Sequence, residues 1–191
     1  MKVDRSSLNH VSNKKIKIAT TSLAGCFGCH MSLLDIDERL AELDALVVFD
    51  RSPLTDVKTL SGEIDVGLIE GGLCNSENVH LLREFRRHCK ILVAVGACAI
   101  NGGVPAIRNN IALVECLNTS YIDGQGVVNG KIPSDPELPL LLDQVYPLHA
   151  VVRIDYFLPG CPPSAENIWT FLSQLLSGYE PVLVNETVHF D

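Results

Sequence analysis

The chain has 191 residues, of which 47% are hydrophobic and 20% charged, a balance that fits one compact domain and excludes disorder for most of its length. Its 15 lysines and arginines against 23 aspartates and glutamates give a net charge of −8, which argues against a nucleic-acid partner because phosphate binding needs a positive face. No run approaches the roughly 18 apolar residues that would span a bilayer, so we expect a soluble protein that binds no membrane.

The N-terminal third predicts an arm, a strand, a helix and a second strand. Residues 1–14 are polar and are interpreted as an arm ahead of the folded domain. Residues 15–22 predict a strand that runs into a glycine-containing loop. The next segment predicts one helix, because its apolar residues recur at helical spacing. These residues are Leu33, Ile36, Leu40 and Leu43. A strand at about 46–50 follows.

The middle of the chain predicts two buried strands around one helix. Residues 64–69 form a short apolar run that ends in Glu70-Gly71-Gly72, the pattern of a buried strand before a tight turn. Residues 77–89 predict a helix with one apolar face. Residues 91–95 predict the central strand of the sheet, which runs directly into Gly96-Ala97-Cys98.

The C-terminal half is less regular. Residues 105–117 begin with Pro105 and predict a helix. Residues 118–139, in contrast, are rich in glycine, proline, aspartate and asparagine and have no sustained hydrophobic period. We interpret the second stretch as a long functional or partner-covering loop, since structureless loops of this length are uncommon inside compact domains. A short helix is expected near residues 138–145.

The end of the chain predicts one more strand and one more helix. Residues 151–157 predict the last strand. Ser164 is a candidate N-cap for a helix that continues through Leu176, with Gly178 just beyond its end. Residues 179–191 are interpreted as a C-terminal tail.

Strands that alternate with helices predict an α/β domain over residues 15–178, with a doubly wound, mostly parallel sheet covered by helices on both faces. In such folds, sites collect at the carboxyl ends of the strands. Four cysteines follow the ends of predicted strands and should meet at that edge. They are Cys26, Cys29, Cys98 and Cys161.

Four converging thiolates match the ligand set of either a zinc ion or a cubane iron–sulfur cluster. Cys26 and Cys29 form a CxxC pair, while the other two are single cysteines far along the chain, a spacing that favours iron–sulfur over the paired ligands of structural zinc. Pro162 after Cys161 resembles the Cys-Pro ending of ferredoxin motifs. A redox dithiol at the CxxC pair stays open as an alternative.

The other three cysteines are assigned to lesser roles. The total of seven fits poorly with full disulfide pairing. Cys89 and Cys116 fall on predicted helical apolar faces and are interpreted as small core residues. Cys74 lies just beyond the Glu-Gly-Gly turn, at the edge shared by the other four, and could replace one of them as a ligand.

Three further features near this edge carry hypotheses. Glu70 ends a buried strand, where a carboxylate is costly unless paired, so it is either a proton relay or a cap that accepts amide bonds from a loop. His30 is expected to face solvent or lie behind the ligands, where it could tune a metal centre. The loop from Thr20 to Gly25 could suit a flavin (FMN) phosphate, although its cysteine neighbours compete for the same edge.

Taken together, the motifs resemble the small subunit of nickel–iron hydrogenases over residues 15–177. The resemblance rests on CxxC after the first strand, Glu70-Gly71, Gly96-x-Cys98-Ala99 with Gly102-Gly103, and Gly160-Cys161-Pro162-Pro163. It implies a flavodoxin-like domain that holds one [4Fe-4S] cluster through Cys26, Cys29, Cys98 and Cys161, beside a Ni-Fe centre that belongs to a separate large subunit.

The resemblance also implies a role in electron transfer. Hydrogen would be split on the large subunit, and electrons would pass through this chain to a diaphorase with FMN and iron–sulfur clusters that reduces NAD⁺. A short C-terminal end and no visible twin-arginine leader resemble the cytoplasmic, NAD-reducing branch, and an obligate heterodimer is expected. The alternatives are the cluster-bearing subunit of quinone-reducing respiratory complexes, which tends to have adjacent cysteines in place of CxxC, and a zinc-stapled interaction module.

Overall fold

A five-stranded parallel sheet forms the centre of the protein. The computed structural model describes residues 15–183. The strands of the large sheet are β1 (Ile16–Ser22), β2 (Val47–Phe49), β3 (Ile64–Glu70), β5 (Cys89–Val95) and β7 (Tyr156–Leu158). Their order is β2-β1-β3-β5-β7, and every pair is parallel. Counting only these five, this is the flavodoxin-like order, which confirms the predicted fold class.

Residues 15–183 contain six α-helices. They are α1 (Gly28–Leu34), α2 (Arg39–Leu46), α3 (Ser76–His88), α4 (Gly96–Asn101), α5 (Leu113–Tyr121) and α6 (Ala165–Leu176). One apolar core joins α1, α2 and α6 to one face of the sheet. The other core joins α3 and α4 to the opposite face. The helices therefore cover both faces, as predicted for a doubly wound sheet.

The middle strand of the sheet is β3, so the prediction that residues 91–95 occupy the centre was wrong by one position. Two strands lie on each side of β3, and β5 is its neighbour. Both β3 and β5 are buried along nearly their whole length. Because both strands are mostly apolar, the sequence pattern alone does not distinguish the central strand from its neighbour.

The expected helix near residues 138–145 is wrong, because this segment is strand β6 (Leu141–Tyr146). It pairs antiparallel with the short strand β4 (Leu73–Asn75) in a second, two-stranded sheet. Val145 is the one buried residue of β6, and half of the strand is exposed. Pairing with β4, which lies far away in the sequence, thus makes this segment a strand. Local periodicity does not reveal such a partner.

Two other boundaries also differ from the sequence prediction. The single helix expected after the first loop is split into α1 and α2, since Asp37 adopts a left-handed conformation with φ of 54°. The last strand is only three residues long. Asp155 precedes it, and its carboxylate accepts a hydrogen bond from the backbone N–H of Leu92 at 2.9 Å. A side-chain oxygen thus takes the place of the backbone carbonyl that would accept this bond in a longer strand.

The last helix agrees with the prediction, whereas the single helix expected over residues 105–117 is two helices, the second of which runs four residues into the expected loop over 118–139. Ser164 Oγ accepts the N–H of Asn167 at the start of α6, which ends at Leu176. A 3₁₀ helix (Val104–Asn110) precedes α5, and residues 122–140 contain no regular element. Within residues 15–183, no helix is long and apolar enough to cross a membrane. The predicted arm at 1–14 lies outside the described residues, as does the tail beyond 183.

Candidate functional site

Four cysteines line one small pocket at the carboxyl edge of the sheet. The pocket has a volume of about 50 Å³. Its cysteines are Cys26 in the loop after β1, Cys29 in α1, Cys98 in α4 and Cys161 after β7. The structure therefore brings together all four cysteines that the sequence singled out, and we call this space the four-cysteine pocket.

Glycines form much of the wall of the four-cysteine pocket, and two further glycines pack directly against its cysteine sulfurs. Gly96 has φ of +82°, and a β-carbon on it would lie 2.4 Å from Cys29 Sγ. Gly103 has φ of +50°, and its β-carbon would lie 2.8 Å from Cys98 Sγ. Any other residue would displace a sulfur, so the backbone is shaped to bring these thiols close.

The electrostatics of the four-cysteine pocket disfavour bare thiolates. Burial and the neighbouring Glu70 raise the pKa of the Cys29 thiol far above its ordinary value. Burial and Cys161 likewise raise the pKa of Cys98. Because thiolates are the metal-binding form, bound metal cations would offset this cost. The donor set thus fits a cationic, sulfur-liganded group.

All four cysteines contribute to the lining of the pocket. Among residues 15–183, no three histidine, cysteine, aspartate or glutamate side chains lie close enough to hold a single metal ion. A zinc ion needs its sulfurs about 2.3 Å from one centre. Zinc and a cubane iron–sulfur cluster both take four thiolates, so the donor set is compatible with either.

Glu70 lines the four-cysteine pocket and is 3% exposed. Its Oε1 accepts the hydroxyl of Ser22 at 2.6 Å, and its Oε2 accepts the backbone N–H of His30 at 3.1 Å. Burial raises the pKa of Glu70, but His30 and Ser22 outweigh it, so the pKa lies below its ordinary value. The cap predicted for Glu70 is present, whereas its proton-relay role stays a prediction.

His30 is buried, and the solvent-facing position considered for it is wrong. Its ring stacks on Phe27 with a centroid separation of 4.7 Å. Its Nδ1 lies 3.2 Å from Glu70 Oε1, although the N–H is poorly aligned for a hydrogen bond. The sequence does show a histidine directly after the CxxC pair. Its contact with Glu70, 40 residues further along the chain, cannot be predicted from spacing.

The other cysteines lie outside the four-cysteine pocket. Cys74 Sγ donates to Asn78 Oδ1 at 3.3 Å and does not line the pocket, so the structure gives no support to its exchange with a ligand. Cys89 is buried at the start of β5, not on a helix as predicted. Cys116 lies on helix α5, but it is only half-buried and belongs to neither apolar core, so its assignment as a core residue is wrong.

The loop considered for a flavin phosphate has its hydroxyls engaged elsewhere. Thr20 and Ser22 belong to β1. Thr20 Oγ1 contacts Ser52 Oγ and His30 Nε2, and Ser22 donates to Glu70. A phosphate would have to displace these buried contacts, so this segment is poorly suited to hold one.

Comparison with known proteins places the chain among redox enzymes. Residues 26–175 match the family described as NADH ubiquinone oxidoreductase, 20 Kd subunit. The chain is 46% identical to the NAD-reducing hydrogenase HoxS subunit delta of Cupriavidus necator, a match that covers 86% of this chain and 80% of that one. A subunit of the F420-non-reducing hydrogenase vhu of Methanocaldococcus jannaschii is 38% identical, and the match covers 91% of this chain but 60% of the relative.

A solved structure has the same fold. The crystal structure of an NAD⁺-reducing [NiFe]-hydrogenase in the H2-reduced state contains a chain with a TM-score of 0.90 and 58% identity. The match covers 93% of this chain and all of that one.

The fold and these matches define a subunit of an oxidoreductase. More narrowly, the chain belongs to the small subunits of NAD-reducing [NiFe]-hydrogenases, within the wider family of the 20 Kd subunit. The resemblance seen in the motifs is therefore confirmed. The family name also covers respiratory enzymes that act on ubiquinone, but the relatives at 46% and 58% identity are hydrogenases.

Proposed function

We propose that this chain is the electron-transfer subunit of a cytoplasmic hydrogenase that reduces NAD⁺. It would hold one [4Fe-4S] cluster in the four-cysteine pocket, between the Ni-Fe centre of a large subunit and a diaphorase that contains FMN and iron–sulfur clusters. The observation that carries the proposal is the convergence of four cysteines, from separate parts of the chain, on one glycine-walled pocket. A cluster held there supplies one-electron transfer at a potential set by its surroundings.

The residues of the four-cysteine pocket divide into a buried side and an exposed side. Cys29 is half-buried against the end of β5, where its thiol lies 3.7 Å from the carbonyl oxygen of Val95. Cys26 and Cys161 are exposed. The buried side fixes the position of the bound group, and the exposed side leaves a short route to a partner chain.

Backbone amides also approach the sulfurs. The N–H of Gly28 lies 3.4 Å from Cys26 Sγ within the turn of the CxxC pair. Such N–H groups stabilise negative charge on ligand sulfurs and so favour the more negative total charge of a reduced centre. This chain would therefore both hold the cluster and set the ease of its reduction.

Exposed apolar side chains beside the four-cysteine pocket support a large-subunit interface. Val104 and Ile107 are 66% and 67% exposed, in the 3₁₀ helix that follows the Cys98 segment. Met31 and Phe157 are also exposed near the same edge. Apolar groups clustered around a redox site are typical of a surface that a partner covers. We propose that the large subunit covers this face.

Hydrogen-dependent reduction of NAD⁺ by the purified complex tests the proposal. A complex carrying Cys98→Ser should lose this activity, because one of the four ligands is removed, while Cys116→Ser should retain it. Cys116 is a matched control since it lies on α5, away from the four-cysteine pocket. Full activity of the Cys98→Ser complex, with its iron retained, would contradict the assigned ligand set.

The proton-relay role of Glu70 is a separate part of the proposal. It is supported by the position of Glu70 in the lining of the pocket, on the face that the proposed partner covers. Hydrogen–deuterium exchange by the complex tests it without a need for NAD⁺. Glu70→Gln should reduce the exchange rate if Glu70 passes protons, and an unchanged rate contradicts the relay.

A further inference from the structure

Residues 103–144 form a long stretch without a single buried residue. The stretch has 42 residues, whereas the next longest of this kind among the described residues, 53–63, has 11. It nevertheless contains 11 of the 19 exposed large apolar side chains of residues 15–183. More than half of the exposed apolar side chains thus lie in one segment, a concentration that is typical of an interaction surface.

An apolar groove with a volume of about 440 Å³ runs through this segment. Helix α5 forms one wall, and residues 132–141 form the other. We call it the α5 groove. Its apolar lining includes Leu113, Leu117 and Tyr121 from one face of α5, and Leu138, Leu140 and Leu141 from the opposite wall.

Helix α5 is short of stabilising contacts. It has nine residues, none of which is buried, and it contributes no side chain to either apolar core. Helices shorter than about 12–15 residues are marginal in water without tertiary packing. A partner that fills the α5 groove would supply the apolar contacts that the described part of the chain does not.

The strand next to the α5 groove has its backbone groups occupied. In β6, the carbonyl oxygens of Leu142 and Asp143 accept from the Arg108 guanidinium at 2.9 and 3.0 Å. The side chain of Asn109 bonds both the N–H and the carbonyl of Val145, at 2.8 and 2.9 Å. An added strand would have to displace these bonds, so a partner is expected to engage the groove through its side chains.

The charge around the α5 groove selects the kind of partner. Residues 111–144 carry five acidic side chains and one basic side chain, all exposed, which gives this region a net charge of −4. Two copies of this chain meeting at the groove would bring like charges together, whereas lysine or arginine on a different chain would be attracted. The charged residues are Glu115, Asp123, Lys131, Asp135, Glu137 and Asp143.

Both ends of the segment adjoin the four-cysteine pocket. At one end, a β-carbon on Gly103 would lie 2.8 Å from Cys98 Sγ. At the other, a β-carbon on Gly72 would lie 2.9 Å from Val145 Cγ1 and 3.2 Å from the carbonyl oxygen of Cys98. The α5 groove therefore belongs to the same segment as Val104 and Ile107, and it extends the surface assigned to the large subunit.

We infer that the α5 groove is a docking site for the large subunit, which fills it with apolar side chains flanked by lysine or arginine. The inference rests on the proposed function, since the large subunit is the partner assigned there. It adds to that proposal a second contact, on the wall of α5, whose specificity depends on charge.

Leu140→Asp in the purified complex tests the apolar part of the inference. Leu140 is 76% exposed, so a carboxylate is tolerated in the free chain but must lose its water in a filled groove. Sedimentation of the complex over a dilution series should show a dissociation constant of the large subunit raised at least about tenfold. Leu138→Asp, on the same wall, should act in the same direction.

Leu46→Asp is the matched control. Leu46 is 50% exposed and lies between α2 and the amino end of β2, at the edge of the sheet opposite the four-cysteine pocket. The complex with this variant should retain the large subunit as the wild type does. Retention of the large subunit by Leu140→Asp and Leu138→Asp overturns the inference, as does release of only the diaphorase or of a second copy of this chain.

The salt dependence of the same dissociation tests the charge part. Raising the salt concentration from about 50 to about 500 mM should weaken binding of the wild-type chain, because it screens the exposed charges. Asp135→Asn combined with Glu137→Gln should bind several-fold more weakly at low salt and depend less on salt. Glu38→Gln combined with Glu42→Gln makes the same charge change on α2 and should keep the wild-type dependence. Equal salt dependence in all three complexes overturns the inference.

The outcomes separate this inference from the proposed function. If Ile107→Asp releases the large subunit while Leu140→Asp and Leu138→Asp retain it, the interface beside the four-cysteine pocket stands and only the α5 groove loses its role. If the wild-type complex contains no iron or acid-labile sulfide for this chain, the electron-transfer proposal fails, and subunit retention still decides the role of the groove.

Discussion

Gly96 and Cys29 are packed so closely that a β-carbon on the glycine would lie 2.4 Å from the cysteine sulfur. Gly96 begins α4 directly after β5, and Cys29 lies in the first turn of α1. The two residues belong to helices that start at the same edge of the sheet, after the strands on either side of β3. Their contact is what brings the CxxC pair against the segment of Cys98.

Gly96→Ala should therefore reduce the iron content of the protein, and the reduction should exceed the one caused by backbone strain alone. The left-handed conformation alone costs about 1–2 kcal/mol for an alanine. Gly62 has the same φ of +82° with no atom within 4 Å of its β-carbon position, so Gly62→Ala carries the strain without the crowding. Iron per chain, measured for both variants, should fall in Gly96→Ala and stay at the wild-type level in Gly62→Ala. Equal iron contents would show that the close packing has no role in the site.

Ile107→Asp should weaken binding to the large subunit without changing the fold. The side chain is 67% exposed, so a carboxylate costs little in the free chain but must lose its water at an apolar interface. Tyr179→Asp is the control, because Tyr179 follows the C-terminal end of α6, at the opposite edge of the sheet from the four-cysteine pocket. Sedimentation of the co-expressed subunits should show dissociation for Ile107→Asp only. Dissociation by both variants, or by neither, would contradict the proposed interface.

The unfolding free energy should depend on Asp50 in acid. Burial opposes ionisation of Asp50, but hydrogen bonds from Ser61 and the nearby Lys17 lower its pKa below the ordinary 3.8. Because the folded pKa is depressed, Asp50 stabilises the fold at pH values above about 3.8. This contribution is lost as the pH falls through the lower, folded pKa.

Denaturant unfolding between pH 7 and pH 2 measures this dependence. Asp50→Asn should lower the free energy of unfolding at pH 7 and flatten its decline in acid relative to the wild type. Asp123→Asn removes an exposed carboxylate and should follow the wild-type curve. A decline in Asp50→Asn as steep as in the wild type would contradict the role of this carboxylate.

Phe85 should be among the most costly residues to truncate. It is fully buried between α3 and the sheet, and its ring is covered by the guanidinium of Arg51 at 5.8 Å. Phe85→Ala should lower the free energy of unfolding by about 3–5 kcal/mol. Val128, which is 84% exposed, provides the comparison, since Val128→Ala should change it by less than about 0.5 kcal/mol. A loss below about 1 kcal/mol in Phe85→Ala would contradict the packing described for this face.

The four-cysteine pocket was predictable because its signals are local. Each cysteine follows a strand end, and parallel strands share one carboxyl edge, so the topology alone brings Cys26, Cys98 and Cys161 together. The cap at Ser164 was predictable for the same reason, since a hydroxyl three residues before a helix N–H is a local arrangement.

The features that sequence reasoning missed depend on distant partners. Residues 141–146 form a strand because β4 lies beside them, and no periodicity in that segment indicates it. Cys89 was placed on a helix because the boundary between α3 and β5 falls at one residue. The contacts of His30 with Thr20 and Glu70 join residues 10 and 40 positions apart, and only the folded sheet brings them together.

The most direct test of the proposed function is the iron, acid-labile sulfide and zinc content of the anaerobically purified chain in its complex. We predict about four iron and four sulfide per copy of this chain, after subtraction of the clusters in the partner subunits, for a [4Fe-4S] centre. A complex with Cys98→Ser supplies that subtraction, because it should lack this cluster alone. About one zinc per chain with no such sulfide would contradict the electron-transfer function and leave a metal-stapled binding module.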